Sequence, residues 1–208
     1  MNATLYYAHD PMCSWCWGFK PTWLTIKSAL STDVQARYIL GGLAPDSDEP
    51  MPEQMQSMLQ QTWQRIAQNI PGTEFNFDFW TKNKPRRSTY PACRAVIAAR
   101  TISSEFEEPM ILAIQTAYYL NAQNPSDAQV LVALAGKLGC DEQQFKGHLQ
   151  SDMTNQTLNE EIQFARRIGA QGFPSLFLHT SDNKLAPVDV NYTDSAIVVD
   201  QIRKILAA

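Results

Sequence analysis

Positive charge, long apolar runs and cysteine are all in short supply in this chain, and each shortage excludes a class of protein. In 208 residues, 17 Lys and Arg stand against 21 Asp and Glu, a formal net charge of -4. Nothing in that balance holds nucleic acid or an anionic membrane surface. No stretch approaches the ~18 to 20 unbroken apolar residues of a bilayer span. The opening MNATLYYAHD has neither a basic region nor a long apolar segment ending in small residues. No secretory leader is read there, and a cytoplasmic location is expected. Four cysteines are too few for a disulfide scaffold. Cys13 and Cys16 form one close pair, while Cys93 and Cys140 stand alone as expected buried thiols. His9 and the cysteines are ligand types that zinc accepts, but no second close pair completes a site, so no metal is expected.

What the chain does have is enough apolar residue, 44%, to build a substantial core in one elaborated domain or two small ones. Its organising stretch is LYYAHDPMCSWCWGFKPTW, residues 5–23. Residues 5–8 read as a short strand that His9, Asp10 and Pro11 break. Trp17, Phe19, Trp23, Ile26 and Leu30 then supply the apolar face of a helix, in which Pro21 is expected to cause a kink or a second start. A Cys-x-x-Cys where a first strand gives way to a helix has the arrangement of a thiol–disulfide site. Cys13 is the expected attacking sulfur, exposed, its thiolate stabilised by the free amides of the first turn below the ordinary pKa of about 8.5. Cys16, one turn further in, is placed to resolve a mixed disulfide.

The rest of the chain reads as alternating elements. Residues 34–40 suit a second strand parallel to the first, and residues 43–50 a loop. Residues 52–69 carry Met55, Met58, Leu59, Trp63 and Ile66 at helical spacing, a stripe expected to pack on neighbouring helices. Residues 74–80 alternate aromatic and polar side chains as an extended segment does. The basic run from Lys82 to Arg87 is short and broken by Pro85, a solvated connection rather than a nucleic-acid site. Helices are expected over 92–102, 105–120, 126–137 with Ser126 as N-cap, 141–149 with Asp141 as cap, and 154–168. A turn at 169–174 leads to a strand over 175–180, an edge strand over 185–190 and a last helix over 194–206.

The CSWC segment and the later stretch GAQGFPSLFL, residues 169–178, resemble the active site and cis-proline loop of the DsbA-like thioredoxin-fold oxidoreductases. The chain is most similar to the subgroup of FrnE-like proteins, related to hydroxychromene-carboxylate isomerases and kappa-class glutathione transferases. The resemblance covers nearly the whole chain. It implies an α/β thioredoxin fold with a large all-helical insertion, divided as residues 1–47, 48–150 and 151–208. It also implies a cis bond between Phe173 and Pro174, facing the cysteines. Cys13, Cys16 and Pro174 are then the catalytic set, with Ser14, Trp15, Gly172 and Phe173 binding substrate. Trp17, Phe75, Phe77 and Trp80 are weaker candidates for a substrate wall. Ser-Trp between the cysteines departs from the Pro-His of strongly oxidising DsbA proteins and the Gly-Pro of thioredoxins, which leaves the direction of electron flow open.

His9 is read two ways, as a proton shuttle or thiolate partner for the pair, or as a strand-end histidine with no chemical role. Asp10 is assigned to ordering the turn, and no buried acid that activates the second thiol is identified. The expected activity is thiol–disulfide exchange or isomerisation on protein, peptide or small-molecule disulfides, with no bound cofactor and with glutathione as a possible co-substrate. Two alternatives stand beside it. One is a glutathione-dependent isomerase or transferase, although those relatives usually have serine in place of the first cysteine. The other is a non-catalytic peptide-binding or chaperone-like protein. The redox partner and oligomeric state are not legible.

Overall fold

Two strands from each end of the chain meet in one sheet, described here for residues 3–207 of a computed structural model. The strands are β1 (Ala3–His9), β2 (Val34–Leu40), β3 (Ser175–His179) and β4 (Leu185–Val188), in the order β2-β1-β3-β4. β1 pairs parallel with β2, from Ala3 opposite Val34 to His9 opposite Leu40, and antiparallel with β3, from Thr4 opposite His179 to Ala8 opposite Ser175. Being interior, β1 is buried on both faces. Leu5 and Tyr7 join the main core, and Ala8 joins Ile39, Ala165 and Phe177 on the other face. Pro187 sits in β4 at the sheet edge, where its missing N–H breaks no ladder.

The helix that joins β1 to β2 is α1 (Ser14–Ala29). It starts three residues before the expected Trp17 and runs through Pro21 as one helix, neither broken nor restarted. Pro21 is exposed and removes a single hydrogen bond, while buried Trp17, Phe19, Trp23 and Ile26 hold the helix to the core. Gly18 lets α2 (Glu53–Asn69) approach: a Cβ there would lie 2.7 Å from Ile70 Cδ1.

Between the sheet halves lies the large helical insertion. It comprises α2, α3 (Phe79–Lys82), α4 (Tyr90–Ile102), α5 (Glu107–Tyr119), α6 (Ala128–Lys137) and α7 (Glu142–Leu149). α8 (Asp152–Arg167) then returns to cover one sheet face, and α9 (Ser195–Leu206) packs beside α1.

Three expectations need correction. The aromatic alternation at 74–80 is not extended. It is a loop ending in the single turn of α3, because its rings gather round buried Trp63 instead of pointing to two faces of a sheet. Phe75 stacks on Trp63 at 5.0 Å, Trp80 lies at 4.9 Å and Phe77 at 5.7 Å. The methionine stripe of α2 needs correction only at Met58, which is exposed: Trp63 and Ile66 are buried, and Met55 and Leu59 pack partly buried against the core. Ser126 does not cap α6. Asp127 occupies that position, and the Ser126 hydroxyl donates to the Ser88 carbonyl at 2.7 Å. Asp141 does cap α7, accepting from Gln144 N at 2.7 Å.

Candidate active site

The site is built on the turn between β1 and α1. Asp10 shapes it twice, its backbone carbonyl accepting from Cys13 N at 3.0 Å and its Oδ1 from Met12 N at 2.8 Å. Cys13 is thereby set in extended conformation as the N-cap of α1, and its Sγ accepts from Cys16 N at 3.4 Å. A sulfur thus occupies the place where a serine or aspartate oxygen usually satisfies a first-turn amide. The N-terminal end of the helix dipole favours negative charge at that atom. From the other side, the Cys13 thiol donates to the Phe173 carbonyl at 3.3 Å, and the Phe173–Pro174 bond is cis. The two chain ends that form the sheet therefore meet at one sulfur.

Cys13 is buried, where an exposed sulfur was expected, because the Phe173–Pro174 loop lies over it. Cys16 is wholly enclosed, and its thiol pKa is pushed well above the ordinary range, first by burial and then by the hydrogen bond and charge of Cys13. The Asp10 amide offsets part of this. Cys16 therefore rests as a thiol.

Trp15, half-buried, lies against Tyr192 at 5.2 Å with the Arg65 guanidinium 5.4 Å over its ring. Ser14 opens the helix, also half-buried. The Gly172 carbonyl accepts from the Ser175 hydroxyl at 2.7 Å. The Phe173 ring is committed to packing: a Cβ on Gly41 would fall 1.8 Å from its Cζ, so only glycine fits beneath it. What Phe173 presents to the dithiol is its backbone. Trp17 is buried, donates from Nε1 to the Glu74 carbonyl at 3.0 Å and stacks on Tyr119 at 5.5 Å. Phe75, Phe77 and Trp80 are gathered at Trp63, and buried Trp80 has no surface to offer as a substrate wall.

His9 is buried between Tyr7 and Tyr38, with ring centroids at 5.1 and 5.3 Å, and its Nε2 has no partner. Burial, assisted by the charge of Arg100, pulls its pKa down to about 3. It is uncharged near neutrality, which removes the reading in which an imidazolium stabilises a thiolate.

Sequence reasoning also passed over a buried acid. Asp10 is fully enclosed, and its Oδ2 accepts from Leu43 N and from the Thr89 hydroxyl, both at 2.7 Å, and from the Cys93 thiol at 3.5 Å. Burial raises its pKa and these bonds pull it back. Its negative charge adds to what disfavours a Cys16 thiolate. The available signal was Thr89 and Cys93 four residues apart at a helix start, one turn of one face. Among the described residues, no cluster of three or more His, Cys, Asp or Glu is placed to hold a metal ion.

A mixed sheet with a large helical insertion and a dithiol at the first helix define a DsbA-like thioredoxin-fold protein, and the dithiol arrangement is consistent with a thiol–disulfide oxidoreductase active site. The chain belongs to the thioredoxin family, whose sequence profile matches residues 6–201. It is similar to a Nitrosomonas europaea protein provisionally described as a protein disulfide isomerase, at 27% identity and TM-score 0.87 over 100% of this chain and 98% of that one. The cytosolic disulfide reductase DsbM from Pseudomonas aeruginosa, in a structure with GSH, shares the fold at 23% identity and TM-score 0.76, covering 99% of this chain and 100% of that one. Among curated relatives, the ClpXP adapter protein SpxH of Halalkalibacterium halodurans is 23% identical over 86% of this chain. The chain spans only 59% of that relative's length, and 56% of the Bacillus subtilis SpxH it also matches.

Proposed function

We propose that this chain is a cytoplasmic thiol–disulfide oxidoreductase or isomerase of the FrnE-like subgroup, acting on protein, peptide or small-molecule disulfides with glutathione as co-substrate. The observation that carries the reading is the Cys13 sulfur, held between the Cys16 amide and the Phe173 carbonyl. In the forward sense, the Cys13 thiolate attacks one sulfur of a substrate disulfide, and the other leaves as a thiolate and takes up a proton. Cys16 then gives up its proton and attacks Cys13. This forms the Cys13–Cys16 disulfide and releases the second substrate thiol. Two glutathione thiols return the enzyme to the dithiol and leave as glutathione disulfide. Pro174 and the Phe173 backbone position an extended substrate, with Ser14, Trp15 and Gly172 around it. Residues 1–47 and 151–208 form the thioredoxin part and 48–150 the helical part in this reading.

Ser14 and Trp15 between the cysteines carry no positive charge, which supports the reductive direction. The test is the equilibrium of the Cys13–Cys16 pair in glutathione buffers, with free thiols trapped and counted by mass spectrometry. A potential near ~-270 mV is expected, and one near ~-120 mV identifies an oxidant instead. If only a glutathione adduct forms, with no internal disulfide, the glutathione-dependent isomerase or transferase reading replaces this one. The likeness to ClpXP adapter proteins favours a second reading, a partner-binding protein in which exchange is incidental. In that case Cys13→Ser leaves partner binding intact.

A further inference from the structure

Trp15 stands between the two cysteines in the first turn of α1, and two other elements flank its ring. On one side Tyr192, in the segment before α9, lies at 5.2 Å. Tyr192 is itself held in place, its carbonyl accepting from the Thr22 hydroxyl at 2.6 Å and its ring edge-on to Phe19 at 5.7 Å. Its phenol pKa is raised by burial and then by the charges of Cys16 and Cys13, which marks it as a neighbour of both sulfurs. On the other side the Arg65 guanidinium of α2 sits 5.4 Å over the indole. The backbone there is anchored, because the next residue, Ile66, is buried against α1: a Cβ on Gly18 would lie 3.0 Å from its Cγ2.

Arg65 differs from the arginines that hold the insertion together. Arg86, Arg94 and Arg100 each pair with a carboxylate. Arg65 is exposed and, among the described residues, makes no ion pair and no hydrogen bond. Its N–H donors are therefore free, in the planar fork that matches a carboxylate. The indole beneath it limits the conformations that the side chain gives up on binding. Lys20, the other cation near the pair, lies 4.5 Å over Trp17 and lines a cavity together with Glu105, Glu107 and Glu108, where carboxylates oppose it. Of the two, Arg65 is the one left to a ligand.

We propose that Arg65 is a specificity residue of the dithiol site, and that the site prefers disulfides bearing a carboxylate, which Arg65 takes while a substrate sulfur lies at Cys13. This rests on the exchange reading above. The sulfur chemistry is unchanged; the attraction acts on association and on alignment of the substrate. An exposed cation–carboxylate pair is weak, so the preference is a matter of severalfold rather than all or none. It is also local: the whole chain carries a net charge of -4 and repels an anion from a distance, so selection in favour of one has to come from a cation at the mouth of the site.

The reduced full chain is mixed in turn with glutathione disulfide, which is anionic, 2-hydroxyethyl disulfide, which is uncharged, and cystamine, which is cationic. Formation of the Cys13–Cys16 disulfide is followed by acid quenching and mass spectrometry of the trapped thiols. Each rate is taken as a ratio to that of the uncharged probe in the same variant, so a general change in the dithiol cancels. Arg65→Gln is expected to lower the glutathione-disulfide ratio about threefold, and Arg65→Glu to lower it about tenfold while raising the cystamine ratio. Arg167→Glu makes the same change in net charge at an exposed arginine over Phe164, which packs on the other face of the sheet, and should leave both ratios as they are. Unchanged ratios in Arg65→Glu, an equal slowing of all three probes, or the same shift in Arg167→Glu overturns the proposal. Exchange that proceeds without sorting by charge leaves the exchange reading standing, whereas no Cys13–Cys16 disulfide with any probe removes both.

Discussion

Asp10 is a carboxylate shut away from water that still meets four donors: Met12 N, Leu43 N, the Thr89 hydroxyl and the Cys93 thiol. Changing it to asparagine keeps the shape and removes the charge, but it replaces one acceptor oxygen with a donor that faces donors. The variant is expected to lose about 1–3 kcal/mol of stability, while the Cys16 thiol titrates at lower pH because the repelling charge is gone. Denaturant melts and the pH profile of Cys16 alkylation in a Cys13→Ser background check the two effects separately. His9 has its own signature. With a folded pKa of about 3, below the ordinary 6.5, the unfolded chain binds a proton that the folded chain does not. Stability due to this group is full above pH 6.5 and is lost as pH falls toward 3, by roughly 3 kcal/mol at pH 4. Asp10 works in the opposite sense, since a raised carboxyl pKa gives stability that is complete below the unfolded value and lost as pH rises. The difference between the wild type and His9→Phe isolates the histidine: the variant's unfolding free energy should fall less between pH 7 and pH 4. Parallel slopes for the two proteins would contradict the burial assigned to His9.

At the scale of elements, the strands were legible because each is short, apolar and punctuated by turn residues. α1 was legible apart from its start, which was hidden because its cap is a cysteine, a residue type that carries no capping signal of its own. α3 was misread for a different reason. Period-two alternation in EFNFDFW reports which side chains want burial, and here they want the flank of Trp63, reached from a loop. Pro21 within α1 gives the element-scale prediction. Restoring an N–H opposite the Trp17 carbonyl with Pro21→Ala should stabilise the protein by about 1–3 kcal/mol, read as a higher urea midpoint at unchanged m-value. A lower midpoint would mean that the ring does more for the unfolded chain than for the helix.

For the molecule as a whole, the dithiol was readable from its spacing at a strand–helix junction, and the proline loop from its resemblance to the DsbA-like cis-proline loop. The contacts that join the parts were not, since they pair residues with no local pattern. Arg100 of α4 is one of these. It bonds Glu107 of α5 and Glu161 of α8, while Glu161 also accepts from Leu40 N of β2 at 2.8 Å. One partly buried charge network thus fixes the insertion to the sheet. Arg100→Ala strands Glu161, 12% exposed at its side chain, and should cost about 3 kcal/mol. Replacing Glu161 by Gln in the same chain should recover part of that loss. Equal melts for the single and double variants would show that the network is not what joins the two parts.

The bond between Cys13 and the Phe173 carbonyl spans 160 residues. During synthesis Cys13 is therefore made 160 residues before the carbonyl that covers it. At ribosomal speeds that separation is on the order of ten seconds or more. Over that interval the nascent chain displays an uncovered dithiol to every thiol and disulfide in its surroundings. A dithiol left uncovered for that long is open to thiol–disulfide exchange before the fold closes over it.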